Sequence, residues 1–509
     1  MNDIRQAIVQ KFLAANLQVH PEVVIHLQKC DDPALIDKVI ANVPPNAFVA
    51  VPSHIPGRKI RGFEPPLPAP VQVEEETTAP EKEEKGEADG DRFLQGPGVD
   101  IVYGQANHAF KGVDYSDFVH YFRNRYDRLG AMLRPRGDAM PISGLTQTTR
   151  YRQADVTITG MIVEVRNTAK GNRIAVLEDP TDIINVLFNN QREVFSEAER
   201  LIPDEVIMVK GRLSNDGNLL FADSLMRPDI PVSHAPFRSK TPGKVIMISD
   251  VHVGSNTFLE EAWQRFVEWV PKSGAQYLLI AGDLVDGIGI YPDQEKELTI
   301  TNIYRQYERF SELIAGLPTD IDIVIAPGNH DAVRGSEPQP ALPDMFTSTF
   351  PPTVTLVENP CMVNLQGVNV LMYHGRSYDD MISMIPGASY DRAEEMMKEM
   401  LVRRHIACTY GERTPILAAK EDALIIDPIP EIFLTGHVHI AGITSYRGVL
   451  CINAGTWQSQ TGFQKQMNIQ PTPALAVLVD LQTLHPEFWD FSASGAPVRR
   501  DTLKPQPAK

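Results

Sequence analysis

Cysteine is scarce in this sequence: Cys30, Cys361, Cys408 and Cys451 stand far apart and form no Cys-x-x-Cys pair. That spacing excludes a disulfide framework and a zinc ribbon, and it predicts isolated thiols in an intracellular protein. Long apolar runs are missing too. No stretch approaches the roughly 18 residues that a membrane span needs. The opening MNDIRQAIVQKF has neither a basic leader nor an unbroken apolar core. The expectation is a cytosolic protein with no membrane attachment. Positive charge is in deficit, with 48 Lys and Arg against 65 Asp and Glu, a net −17 over 509 residues. A broad basic nucleic-acid surface is thereby disfavoured, although residues 74–92 alone hold nine of the acids against three bases. Any contact with nucleic acid has to be local.

What is present reads as several domains. In residues 1–50, Ile4, Ile8, Phe12 and Leu13 recur at helical spacing, Pro21 opens a second helix through Val24 and Leu27, and a third covers Ala34–Val43. Their apolar faces suit either a mini-core or a docking surface. Residues 51–98 carry Pro65, Pro66, Pro68, Pro70 and Pro80 and then the acidic run. Low hydrophobicity and high charge predict a disordered linker there. Residues 99–235 begin with a helix over Tyr115–Tyr126. Arg123, Arg125, Arg128, Arg134 and Arg136, interleaved with Tyr121, Phe122 and Tyr126, read as a solvated face in preference to a nucleic-acid contact. Short strands over 156–165, 173–178, 183–188, 206–213 and 218–222, with a helix over 193–201, predict a five-stranded OB barrel. Phe188 and Phe221 are its few strand aromatics. A subunit-contacting barrel is expected ahead of one that stacks bases.

From residue 236 onward, apolar β-branched runs predict two packed sheets flanked by helices, an α/β fold. Strands over 245–249, 277–281, 321–326, 368–373 and 431–435 each lead into polar residues. These are Asp250-Val-His252, Gly282-Asp283-Leu-Val-Asp286, Gly328-Asn329-His330-Asp331, His374-Gly375 and Gly436-His437-Val-His439. Further strands are expected over 448–452, 474–479 and 487–491. Thr257 and Glu260 suit a capping box, and the helix after them puts Leu259, Trp263, Phe266, Val267 and Val270 in the core. Carboxylates, an amide and imidazoles at strand ends, with no thiolate, suit a pair of divalent cations acting at phosphorus; manganese, iron or zinc fits better than magnesium alone. Asp286 is expected to support its loop. His405 carries no motif.

The pattern D-x-H, G-D-x-x-D, G-N-H-D, H and G-H-x-H resembles the calcineurin-like metallophosphoesterases. The resemblance implies that Asp250, His252, Asp283 and His439 hold one metal. Asp283, Asn329, His374 and His437 would hold the second, with Asp283 bridging. His330 would contact the scissile phosphate, with Asp331 orienting it. The OB barrel ahead of this domain, the stretch Cys451–Lys465 with Trp457, Gln460, Phe463 and Gln464, the segment Arg376–Asp380, and Arg403-Arg404-His405 are similar to the small-subunit family of archaeal family D DNA polymerases, whose members keep their metal ligands. Membership would imply a manganese-stimulated 3′→5′ exonuclease acting on single-stranded or mismatched 3′ ends. It would also imply a large catalytic polymerase subunit as partner, primer–template DNA, sliding-clamp association through the complex and a nucleoid location. Arg376 is the candidate phosphate contact, and the 376–430 insert is expected to rim the cleft. A mainly structural subunit, or another phosphatase or repair nuclease of the superfamily, are the alternatives.

Overall fold

The computed structural model describes residues 98–105, 115–146, 154–466 and 468–500, with residues 11, 18–19, 23, 26–27, 34–43 and 49–50 before them. The chain divides into units 1–88 and 89–509. In the first, β1 (Gln18–Val19) pairs in parallel with β2 (Val49–Ala50), and helix α1 spans Ala34–Ala41, two residues short of its predicted end. The predicted first helix, the Pro21 start of the second, Cys30 and linker residues 51–97 lie outside the described residues.

The second unit opens with β3 (Val99–Gln105) and helix α2 (Tyr115–Leu133). Five strands then close into a barrel: β4 (Asp155–Asn167), β5 (Arg173–Glu178), β6 (Ile183–Phe188), β7 (Val206–Leu213) and β8 (Leu219–Met226), in the order β4-β5-β6-β8-β7. Alternation turns Ile158, Leu177, Val186, Val209 and Leu220 inward. This is the OB arrangement. The helix predicted over 193–201 is a single turn, Phe195–Ala198. Of the five arginines expected to form a solvated face, Arg123 and Arg134 are exposed, but Arg125, Arg128 and Arg136 are drawn into contacts. Arg125 is fully buried, its Nε donating to Asp422 Oδ2 at 2.7 Å and its Nη1 to the Cys408 carbonyl at 2.5 Å. Arg128 donates to the Asp422 carbonyl at 3.0 Å, and Arg136, just past the helix, to the carbonyls of Arg227 and Pro228 at 2.8 and 2.9 Å. These guanidiniums tie barrel, helix and large domain together.

The large domain is built from strands that are apolar on both faces. β9 (Lys244–Ile248), β10 (Tyr277–Ala281) and β11 (Asp322–Ala326) are parallel neighbours. Ile246, Ile248, Leu278, Ile280, Ile323 and Ile325 meet helices α3 (Glu260–Ser273) and α4 (Ile303–Ala315) on one side. The alternate residues Val245, Met247, Leu279 and Val324 enter a core between two layers. Burial on both faces explains why these runs do not alternate.

The layers are not separate sheets. β12 (Val354–Leu365) pairs in parallel with β11 over Val354–Leu356. Its far end, Cys361–Leu365, pairs antiparallel with β13 (Val368–Met372). One hydrogen-bonded path therefore runs through both layers. The second layer continues through β14 (Ile432–Thr435), β15 (Gly442–Tyr446) and β16 (Val449–Asn453); β17 (Leu475–Asp480), β18 (His485–Asp490) and β19 (Val498–Arg500) extend the first. Helices α5 (Tyr378–Met384) and α6 (Ala393–Arg403) cover the second layer through Met381, Met396, Met397 and Met400. No capping box forms at α3: Leu259 is its N-cap, without a side-chain bond, and Glu260 pairs with Arg309 instead.

Candidate metal centre

Every predicted ligand follows the C-terminal end of a strand. β9 delivers Asp250 and His252, β10 Asp283, β11 Asn329, β13 His374, and β14 His437 and His439. The chain turns sharply there. Asp250, His252, Asp283, His437 and His439 all adopt left-handed backbone, with φ of 54°, 56°, 52°, 70° and 62°. That costs an L-residue on the order of 1 kcal/mol each, and such strain persists where function fixes the geometry. Loop hydrogen bonds fix it here: Asp250 N to Gly282 O and His252 N to Asp283 O, both 3.0 Å, and Gly436 N to His374 O at 2.8 Å. Two motif glycines serve close approach. A Cβ on Gly436 would collide with Ser249 Oγ and the Asp250 carboxylate, and one on Gly328 with Asp283 Oδ1. The carboxylates are thereby gripped by backbone: His437 N donates to Asp250 Oδ2 at 2.9 Å and His330 N to Asp283 Oδ1 at 2.8 Å.

Among the described residues the side chains converge in three groups, Asp250–His252–His439, Asp250–Asp283–His374 and His252–Asp286–His330, each with its donor atoms within 4.8 Å of one another. In the first, His252 Nε2 and His439 Nε2 stand 3.0 Å apart, with Asp250 Oδ1 3.3 Å from His439 Nε2. In the second, His374 Nδ1 donates to the Ala281 carbonyl at 2.8 Å. In the neutral ring Nε2 is therefore a bare lone pair, and it points at Asp283 Oδ2 from 3.1 Å. His374 Nε2 and Asn329 Oδ1 are buried with no hydrogen-bond partner. An orphaned buried acceptor costs about 1–3 kcal/mol. His374 Nε2, facing Asp283 Oδ2, is placed for an oxygen- and nitrogen-loving cation, and the donor set without sulfur fits such cations. His437 lies against His374, ring centroids 5.3 Å apart, with Nε2 3.4 Å from Asp379 Oδ2.

The electrostatics follow from burial and charge. Burial alone would raise the Asp250 carboxyl, but hydrogen bonds from His252 and His439 hold it well below the carboxylate range. Asp283, whose burial is likewise outweighed, is held down by His374 and His330. Burial depresses His252 and His374, yet the neighbouring carboxylates win and lift them to about 10 and about 9. The metal-free cluster thus stores protons where a cation would go.

Asp286 reaches beyond its own loop to the His252 ring. Its Oδ1 meets His252 Nδ1 at 3.1 Å, while Gln458 and Gln294 donate to the carboxylate at 3.1 and 3.0 Å. The expectation for Asp331 needs correction. Its carboxylate accepts from Gly328 N (2.8 Å), Leu284 N (3.3 Å) and the Tyr307 hydroxyl (2.9 Å), which makes it a brace for the 328–331 turn. His330 is oriented instead by the Asp286 carbonyl, which accepts from Nδ1 at 2.7 Å. His405 is a core group on Asp422, 2.8 Å away. Arg376 reaches the Gly335 carbonyl at 2.9 Å and does not line the cleft; the arginine that does is Arg413.

That cleft has a volume of about 380 Å³, and His252, Asp283, His330, His437 and His439 share its walls with Tyr291, Tyr390, Val438 and Ile469. Sequence motifs do not reveal Tyr291 or Tyr390 as cleft residues, and Asp379 and Gln458 are visible only within the segments 376–380 and 451–465. Gln464 is visible in the sequence only as part of a longer stretch; its amide stands 2.8 Å from His439 Nδ1. Asp379, Tyr390 and Arg413 come from the insert after His374.

A two-layer sandwich with carboxylates and imidazoles gathered at its strand ends, preceded by an OB barrel, defines a phosphoesterase-fold subunit. Residues 245–441 match the B-subunit family of DNA polymerases alpha and epsilon, and residues 156–224 match the OB-fold nucleic acid binding domain. The DNA polymerase II small subunit of Halobacterium salinarum is 42% identical over 385 residues, 74% of this chain and 75% of that protein. That of Methanothermobacter thermautotrophicus is 36% identical over 485 residues, 91% of this chain and 96% of that protein. Among solved structures, vacuolar protein sorting 29 from Cryptosporidium parvum is 15% identical, with a TM-score of 0.29 over 51% of this chain and 96% of its own. The chain belongs to the family of DNA polymerase II small subunits. Among the described residues no helix is long and apolar enough to cross a membrane.

Proposed function

We propose that the chain is the nuclease subunit of a DNA polymerase, a 3′→5′ exonuclease that removes unpaired or mismatched 3′ nucleotides for a separate large polymerase subunit on primer–template DNA. The observation that carries this reading is the buried convergence of carboxylates and imidazoles at the strand ends, with His374 Nε2 3.1 Å from Asp283 Oδ2, since a purely structural subunit gains nothing that offsets the burial of these charges. Asp250, His252, Asp283 and His439 would hold one divalent cation, and Asp283, Asn329, His374 and His437 a second, with manganese expected and iron or zinc compatible with the donors. When bound, such ions supply the charge that activates water and neutralises phosphoryl oxygens.

The chain's own residues do the rest. Asp286 and Gln464 hold the rings of His252 and His439. The Asp286 carbonyl accepts from His330 Nδ1, so a proton this ring gives a leaving oxygen comes from Nε2 of its imidazolium form, which burial disfavours until substrate charge is present. Water oxygen bonds to the terminal phosphorus, the bond to the preceding 3′-oxygen breaks, and that oxygen takes the proton. A nucleoside 5′-monophosphate leaves. The test is manganese-dependent degradation of 3′-labelled against 5′-labelled single-stranded DNA, with and without the co-expressed large subunit. Shortening from the 3′ end, lowered at least about 100-fold by Asp283→Ala or His330→Ala, is the expected result. An inert wild-type complex would leave the scaffold reading standing.

A further inference from the structure

We propose that Tyr291 and Tyr390 form a seat for the terminal nucleobase, so that ring contact more than charge holds a single strand in the cleft; this rests on the nuclease reading above. Both rings line the cleft, one from the 286–297 loop and one from the 376–413 insert. They stand beside different members of the cluster: Tyr291 lies 6.5 Å from His330 between ring centroids, and Tyr390 binds the Asp379 that meets His437. Each ring is tethered by its hydroxyl, Tyr291 donating to Glu297 Oε2 at 3.0 Å and Tyr390 to Asp379 Oδ1 at 2.8 Å. Tethered, half-buried rings offer apolar surface at little further ordering cost.

The Tyr291 loop also spends apolar residues on solvent. Ile288 and Ile290 are 45% and 42% exposed, with Gly287 and Gly289 at φ +75° on either side of Ile288. That exposure contributes nothing to a core.

Charge gives the independent argument. Single-strand affinity usually rests on lysine and arginine along the backbone. Among the cleft's lining residues Arg413 is the single arginine or lysine, against Asp283, Asp286 and Asp379, in a chain of net charge −17. One phosphate contact cannot supply the affinity. Stacking on an aromatic ring can, at about 1–3 kcal/mol per base and with little regard for sequence. It also selects the substrate, because a paired terminal base has to leave its partner before it can reach the seat.

The experiment measures binding by fluorescence anisotropy in chelating buffer. The full chain and the variants Tyr291→Ala, Tyr291→Phe, Tyr390→Ala and Tyr390→Phe are compared on 5′-labelled single strands ending in an ordinary or an abasic 3′ residue. Each alanine variant should weaken binding of the ordinary end about tenfold and leave the abasic end unchanged, while phenylalanine, which keeps the ring but loses the hydroxyl tether, restores most of that affinity. The log–log salt slope should lie near −0.7, the value for about one phosphate contact. Equal loss on both ends, phenylalanine variants as weak as alanine, or a slope several times steeper would overturn the seat. Manganese-dependent hydrolysis is read separately. Base-dependent binding without hydrolysis keeps the seat and removes the nuclease; hydrolysis with an unchanged KM in the alanine variants does the reverse.

Discussion

His374 shows why this site wants a cation. Its Nδ1 is spent on a carbonyl, and its Nε2 faces a carboxylate oxygen, so a proton or a metal must sit on that nitrogen. With His252 and His374 lifted to about 10 and about 9, protons win at neutral pH when no metal is present. A cation has to displace them, and each displaced proton costs about tenfold in affinity for every pH unit below the ring's pKa. Apparent manganese affinity, measured by titration calorimetry, should therefore rise at least about tenfold between pH 6.5 and 7.5; a flat profile would contradict this electrostatic account. At this scale the sequence is informative about ligand types, because each follows an apolar run. It is silent on partners. Asp331 follows His330 directly, yet the turn aims its carboxylate at Gly328, Leu284 and Tyr307. Arg376 follows His374 closely and still points elsewhere. Adjacency in the chain says little about adjacency at a strand end, where left-handed residues reverse direction every two positions.

Among elements, strands buried on both faces are legible and mixed ones are not. Pro360 interrupts the run 354–365, and proline argues against an interior strand, so β12 does not stand out. Only the structure shows it passing from one layer to the other with a break in register between Val357 and Met362. α2 is legible as a helix, but the place of its arginines is not, because their acceptors lie far along the chain, in Asp422 and the Cys408 carbonyl. A consequence can be measured. Arg125→Met leaves Asp422 buried without its guanidinium and should cost about 3–5 kcal/mol, seen as a lowered thermal unfolding midpoint. Arg123→Ala, at an exposed position of the same helix, should stay within about 0.5 kcal/mol of wild type. Equal effects would place the helix's contribution elsewhere.

Across the whole molecule, barrel and large domain meet through charge. Arg403 lies on α6, with Nε 3.1 Å from Glu205 Oε2, and Glu205 also accepts from Arg227 at 3.0 Å. Arg200 donates to Glu399 at 3.0 Å, closing the group from the barrel side. The barrel is thus set against the layer that carries His374, His437 and His439. The other layer carries Asp250, His252, Asp283 and Asn329. The proposed donors are divided between two layers whose hydrogen-bonded link is β12, so an ion bound there would act as a rivet through the laminate. Manganese at about 100 times its dissociation constant should stabilise the fold by about 2.7 kcal/mol, raising the thermal midpoint. Asp250→Ala and His374→Ala, one from each layer, should each abolish most of that rise. Slippage between the layers would alter the gap a bound ion has to span, so a packing change deep in the laminate can detune the chemistry without touching a single proposed ligand.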